Sequence, residues 1–287
     1  MNLIDGKAVG QKIRDAVKKR AEVLKGKGIV PCLAVILVGE DPASVSYVTA
    51  KEKALVEAGM ESRDIRLPAD TSEAELLSII SELNKDKKIH GILVQLPLPK
   101  HINEEKIIGV IAPEKDVDCF HPVSVGNMIL EKQGFLPCTP HGVLMLLREY
   151  KIPVSGAHVV VVGRSNIVGK PLANLLIRRE YNATITLCHT GTKDLSYHTL
   201  QADILIAAAG RPALITADMV KKGAVVIDVG VNRVSDSTKV KGYRLCGDVD
   251  PAAVEKASFY TPVPGGVGPM TIAMLMQNVV EAAEKQS

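Results

Sequence analysis

Arg164 directly follows the glycine that ends a run of valines, in the stretch His158–Pro171, HVVVVGRSNIVGKP. Four consecutive valines are too few for a helix and suit a strand buried on both faces. Gly163 ends the run, and Gly169 and Pro171 lead into a helical pattern through Leu172, Leu175 and Leu176. A buried strand, a glycine turn and a helix start aim free backbone N–H groups and a positive helix end at an anionic ligand. The chemistry that suits this is holding the phosphates of a dinucleotide. The spacing is not GxGxxG: Ser165 stands in place of the second glycine and the last glycine comes late, so an ordinary tight βα turn is the competing reading.

The tip of the next strand bears on that choice. It reads Cys188-His189-Thr190-Gly191-Thr192, with no carboxylate until Asp194. A cofactor with a free ribose 2′-OH usually meets an acid there. A missing acid and an added guanidinium at Arg164 favour a 2′-phosphate, and hence NADP over NAD. Ser165 and Thr190 can hold phosphate oxygens or merely cap a turn. His189 reads as a loop histidine rather than a general base.

A second set of reactive side chains lies nearer the start. Tyr47 and Lys51, four residues apart, share one face of a helix over about 42–58. Gln95 closes a strand that runs into Pro97-Leu98-Pro99. In open α/β sheets ligands collect beyond the carboxyl ends of strands, so Gln95 belongs to a possible cleft. Asp118 lies in irregular chain, Asp116 to Phe120. Taken alone, Lys51 is a solvated charge and Asp118 a loop carboxylate. The late loop Thr261–Thr271, TPVPGGVGPMT, sets three glycines between prolines, which permits close backbone approach to a ligand; a plain connector is the blander reading.

The elements that must position these residues follow the same logic. A helical period over 5–26 ends at Gly26 and Gly28, and Cys32–Val38 is a buried strand. Gly39-Glu40-Asp41-Pro42 supplies a turn, a cap and a first-turn proline for the Lys51 helix. A strand near Ser62–Leu67, a helix near Ser72–Asn84 and a strand at His90–Leu96 complete a β-α-β-α-β unit with a parallel sheet. A helix from Thr139 to Tyr150 links to a second unit with strands at 158–162, 183–188, 204–208 and 224–229. A final helix, about 270–285, packs back on the first unit.

Composition bounds the rest. The 287 residues are 46% hydrophobic and 23% charged with a net charge of +3, a globular balance sufficient for one large domain or two ordinary ones. No Trp and only three Phe and six Tyr leave few stacking platforms for single-stranded nucleic acid. No apolar run reaches membrane-spanning length, which points to the cytoplasm. Five scattered cysteines without a CxxC pair read as reduced thiols rather than a disulfide frame or zinc site.

Several segments together resemble one family. They are Tyr47-Val-Thr-Ala-Lys51-Glu-Lys53-Ala54, Gln95-Leu-Pro-Leu-Pro99, Asp116-Val-Asp118, Gly163-Arg-Ser-Asn-Ile-Val-Gly-Lys-Pro171, Asp228-Val-Gly-Val-Asn232, Gly247-Asp-Val-Asp250 and Pro264-Gly-Gly-Val-Gly-Pro-Met-Thr271. The chain is similar, from Asp5 to its final helix, to the bifunctional methylenetetrahydrofolate dehydrogenase/methenyltetrahydrofolate cyclohydrolase family. The PGGVGPMT loop and the YxxxK helix are specific in combination; the glycine turn alone is not.

The resemblance implies a two-domain α/β enzyme. Residues 1–138 and 270–287 would form a folate-binding domain with a parallel sheet. Residues 139–269 would form a Rossmann-type NADP-binding domain, with a cleft between the two and a homodimer as the usual assembly. The implied activity is NADP-dependent oxidation of 5,10-methylene-tetrahydrofolate, then hydrolysis of the 5,10-methenyl product to 10-formyl-tetrahydrofolate. Lys51, Tyr47 and Gln95 would be catalytic. Tyr47, Asp118, Pro97, Pro264, Gly265 and Gly266 would bind folate, and Gly163, Arg164, Ser165, Gly169, Thr190 and Val231 the cofactor. A partly desolvated lysine beside a bound cation can take a proton from water and later return one. The chain departs from the family at Cys119, where Gly is usual and a Cβ restricts the backbone. The rivals are another two-domain NADP-dependent dehydrogenase and a non-enzymatic dinucleotide-binding protein. The complete set of Tyr47, Lys51, Gln95 and Asp118 argues against the second.

Overall fold

The computed structural model describes residues 1–239 and 242–286. In chain order the elements are β1 (Asn2–Leu3), α1 (Gly6–Gly26), β2 (Cys32–Val38), α2 (Pro42–Glu57), β3 (Glu61–Leu67), α3 (Glu73–Lys85), β4 (Gly91–Val94), α4 (Glu104–Ile108), α5 (Pro122–Ile129) and α6 (Cys138–Glu149). There follow β5 (His158–Val162), α7 (Gly169–Leu176), β6 (Thr184–Cys188), α8 (Leu195–Thr199), β7 (Ile204–Ala207), β8 (Val225–Asp228), β9 (Asn232–Ser235), β10 (Tyr243–Cys246), β11 (Phe259–Tyr260) and α9 (Val267–Lys285). The chain divides into two compact units, one of residues 11–138 and 272–287, the other of residues 1–10 and 139–271.

The first unit has a three-stranded parallel sheet ordered β3-β2-β4. Every residue of central β2 is buried, as its unbroken apolar run requires of a strand covered on both faces. Ala34, Ile36 and Val38 pack on one face with Leu76, Ile80 and Leu83 of α3. Asp41 caps α2 by accepting from Ser44 N, and Ser72 caps α3 by accepting from Glu75 N. The chain runs from β2 outward to β3 and then back across to β4. The crevice beyond the carboxyl ends of β2 and β4 is therefore a topological switch point.

The second unit has a six-stranded parallel sheet ordered β1-β11-β8-β7-β5-β6. Its core brings Val160, Val162, Leu205, Ala207 and Val226 together with Ile215 and Ala253. Strand β5 lies between β6 and β7, so its carboxyl end is again a switch point. Residues 1–10 pack with the second unit. Asn2 and Leu3 pair with Phe259 and Tyr260, and Asp5 N donates to the Tyr150 hydroxyl at 2.7 Å, which ties the N-terminus to the six-stranded sheet.

Candidate active site

In the first unit, Lys51 and Gln95 meet at the switch point. Lys51 is 8% exposed, and its Nζ donates to Gln95 Oε1 at 3.1 Å. Gln95 follows β4; its N donates to Ile36 O, and its Nε2 donates to Leu96 O at 2.7 Å, which fixes the amide with its oxygen toward the lysine. No salt bridge reaches Lys51 among the described residues. A largely buried lysine held by one neutral amide, with no carboxylate paired to it, suits a site open to a ligand better than a stabilising ion pair. Tyr47, one turn earlier on α2, is 45% exposed and open to a ligand. Pro97 is exposed just beyond Gln95, after a cis Leu96–Pro97 bond.

The two aspartates of Asp116-Val-Asp118 divide the work. Asp116 is buried, and its carboxylate accepts from Phe120 N at 3.1 Å and His121 N at 2.9 Å, shaping the loop. Burial holds the Asp116 carboxyl above the usual carboxylate range. Asp118 is half-buried on the loop so formed. The charges of Asp118 and Lys51 both act on the fully enclosed thiol of Cys138, whose ionisation burial pushes well up. Cys119 has φ 60° and is 1% exposed, so a side chain sits in the left-handed region that glycine favours.

In the second unit, the ends of β5, β6 and β7 surround a pocket of about 410 Å³. Gly163, Arg164, Ser165 and Thr190 all line it. Gly163 has φ 128°, and a Cβ there would collide with Ala208 O, while a Cβ on Gly169 would collide with Gly163 O. The late glycine thus lets the start of α7 rest on the turn, which accounts for the irregular spacing. Ser165 Oγ accepts from Val168 N and Gly169 N at 3.1 and 3.3 Å, so it caps the turn as well as facing the pocket. His189 Nδ1 accepts from Gly191 N at 3.0 Å, a loop-shaping role. Asp194 accepts from Tyr197 N and caps α8, and no carboxylate lines the pocket among the described residues. Val231 is exposed and is not among the pocket's lining residues. Pro264 is exposed, whereas Gly265 and Gly266 are buried, with Gly265 O accepting from Lys7 N at 3.1 Å.

The pocket also contains residues that motif spacing did not single out: Thr192, Leu195, Arg211 and Leu214. Arg211 follows the β7 end by sequence, and a search for cations beyond each parallel strand would have found it. The glycine turn, the basic and acid-free lining, and the start of α7 behind that turn fit a dinucleotide carrying an extra phosphate.

Two parallel-sheet units, one with a dinucleotide pocket and the other with a buried lysine at its switch point, define a nucleotide-dependent α/β enzyme of dehydrogenase type. Residues 4–118 match the tetrahydrofolate dehydrogenase/cyclohydrolase catalytic domain, and residues 137–287 match the NAD(P)-binding domain of the same family. The chain belongs to the tetrahydrofolate dehydrogenase/cyclohydrolase family. It is 59% identical over 283 residues to the bifunctional protein FolD of Exiguobacterium sibiricum, covering 98% of this chain and 99% of that one. A crystal structure of the bifunctional FolD enzyme from Campylobacter jejuni superposes with a TM-score of 0.95 at 49% identity, covering all of both chains. The Trypanosoma brucei dehydrogenase-cyclohydrolase, crystallised with NADP cofactor and inhibitor, superposes with a TM-score of 0.94 at 39% identity over 99% of this chain and 97% of that one.

Proposed function

We infer that this chain oxidises 5,10-methylene-tetrahydrofolate with NADP⁺ and hydrolyses the 5,10-methenyl product to 10-formyl-tetrahydrofolate. The observation that carries this reading is the buried Lys51 amine held by Gln95, in a chain whose two halves match the two domains of one bifunctional family.

The nicotinamide, when bound, supplies the hydride acceptor. Arg164 binds the 2′-phosphate, and the turn that opens with Gly163, Arg164 and Ser165 lets the remaining phosphates approach the backbone. Hydride loss needs no protein base, because a folate nitrogen lone pair assists it and leaves a delocalised cation. Hydration of that cation does need proton transfer. The Lys51 amine takes a proton from the attacking water and returns one to the ring nitrogen as its bond to the carbon breaks. Gln95 fixes the amine, Tyr47 stacks or bonds beside the substrate, and Asp118 accepts two hydrogen bonds from the pterin amino and ring N–H groups.

The finer properties belong to the same proposal. The protein works as a homodimer in the cytoplasm, on one-carbon folates, without nucleic acid or membrane. Five dispersed cysteines, all free, suit a reducing compartment, and no described helix is long and apolar enough to cross a membrane. The experiment is to follow the absorbance of the methenyl product with methylene-tetrahydrofolate and NADP⁺, then its decay on the same enzyme. Substrate-dependent rise and enzyme-dependent decay are expected; absence of both overturns the reading.

A further inference from the structure

The Gly247-Asp-Val-Asp250 segment carries a carboxylate that the reaction above does not use. Asp248 is 0% exposed. Its Oδ2 accepts from Ala209 N at 2.6 Å and Gly210 N at 2.8 Å; its Oδ1 accepts from Arg211 N at 2.9 Å and Asn232 Nδ2 at 2.8 Å. No cation pairs with it among the described residues. A carboxylate filled by three consecutive backbone N–H groups dictates the course of that backbone. The segment so held continues from β7, and its Ala209 and Arg211 line the dinucleotide pocket, whereas Asp248 does not.

Behind Asp248 stands a second buried acid. Asp228, at the end of β8, accepts from Asp248 N and Val249 N, each at 2.9 Å, and from Gly230 N at 3.0 Å. Two buried carboxylates satisfied by neighbouring loops form a rigid brace running from the sheet to the pocket wall. Its end product is the placement of Arg211. That side chain is exposed, has no hydrogen bond or ion pair among the described residues, and shares the pocket with Arg164 and Thr190.

We propose that Asp248 is a positioning residue for cofactor selection: by pinning the N–H groups of Ala209 to Arg211 it sets Arg211 as a second cation, beside Arg164, for the phosphate on the adenosine ribose. The proposal rests on the reading of this pocket as the NADP site.

The test measures KM for NADP⁺ and NAD⁺ with the full-length enzyme carrying Arg211→Gln, Asp248→Asn, both together, or Arg164→Gln. Each rate is normalised to the same sample's cyclohydrolase rate, which consumes no dinucleotide. Loss of one charged hydrogen bond predicts that Arg211→Gln lowers the NADP⁺ over NAD⁺ preference roughly tenfold, through KM. Asp248→Asn lowers the preference in the same direction, with kcat at saturating cofactor falling less than about threefold, and adds little in the Arg211→Gln background. Equal losses for both dinucleotides in Asp248→Asn, or independent effects in the double variant, overturn the positioning role. Should Asp248→Asn fail to fold, Arg211→Gln decides alone: an unchanged preference overturns the proposal. A preference lost in Arg164→Gln but kept in Arg211→Gln overturns this inference while sparing the NADP reading; a preference kept in both overturns the two together.

Discussion

Gln95 Oε1 receives its hydrogen bond from Lys51 Nζ at 3.1 Å while the other end of the same amide is tied to Leu96 O at 2.7 Å. The amide cannot turn without losing the second bond and presenting its NH₂ to an ammonium. The strand end thereby aims an acceptor at the amine, and α2 brings the amine to the strand end.

Removing that acceptor leaves the buried amine without its hydrogen-bond partner. A hydrogen bond to a charged group is worth about 1.5–3 kcal/mol, so Gln95→Ala is expected to slow the cyclohydrolase step roughly tenfold to a hundredfold. Steady-state decay of the methenyl compound measures it; an unchanged rate contradicts the role of Gln95.

Arg164 stands in a pocket wall that holds no carboxylate among the described residues. Arg164→Gln is expected to raise KM for NADP⁺ by about tenfold or more and to leave KM for NAD⁺ within roughly threefold. Initial-rate kinetics with each dinucleotide check this, and equal changes contradict a 2′-phosphate contact.

How much of this was legible depends on the residue. Strands β2 and β5 announced themselves because a parallel strand covered on both faces has to be apolar without interruption. Lys51 and Tyr47 fell on one face of α2 by spacing alone, but burial of the lysine is a tertiary fact that no helix pattern encodes. The two-residue strands β1 and β11 carry too little pattern to be seen, and their pairing ties the start of the chain to the six-stranded sheet. Asp248 stands in a family-like segment without a role of its own, and Arg211 in none, for a related reason. Acids are ordinarily exposed, and only folding reveals one enclosed by three backbone N–H groups. The Gly163–Gly169 spacing looked like a defect of a motif until the two glycines were found packed on each other.

Cys119 offers a test of the Asp118 loop. At φ 60° a side chain with one Cβ substituent is strained, and a β-branched one more so. Cys119→Gly is expected to stay within about 1 kcal/mol of the parent, because relief of strain offsets lost packing, whereas Cys119→Val destabilises by about 2 kcal/mol or more. Urea unfolding of the three proteins decides it, and equal stability of the valine variant contradicts the strained loop.

His90 makes the first unit sensitive to acid. Its Nδ1 accepts from Cys32 N at 3.1 Å, which requires the unprotonated ring, and burial lowers its proton affinity below that of free histidine. Below the ordinary histidine pKa near 6.5 the unfolded chain takes up a proton that the folded one refuses, so stability is present above that pH and lost as pH falls toward the lowered folded value. His90→Asn keeps an acceptor and removes the titration. Between pH 7.5 and 5.5 the parent's Tm is expected to fall more than the variant's; parallel slopes contradict the assignment.

The claim on which the rest depends is that the Lys51 amine moves the proton in hydration of the methenyl cation. Lys51→Met keeps the length and apolar stem of the side chain and deletes the amine, so the decisive measurement is cyclohydrolase turnover of this variant under conditions where folate binding is verified by fluorescence or calorimetry. The account predicts a protein that binds folate and hydrolyses the methenyl compound no faster than buffer does; hydrolysis at the parent rate would contradict it.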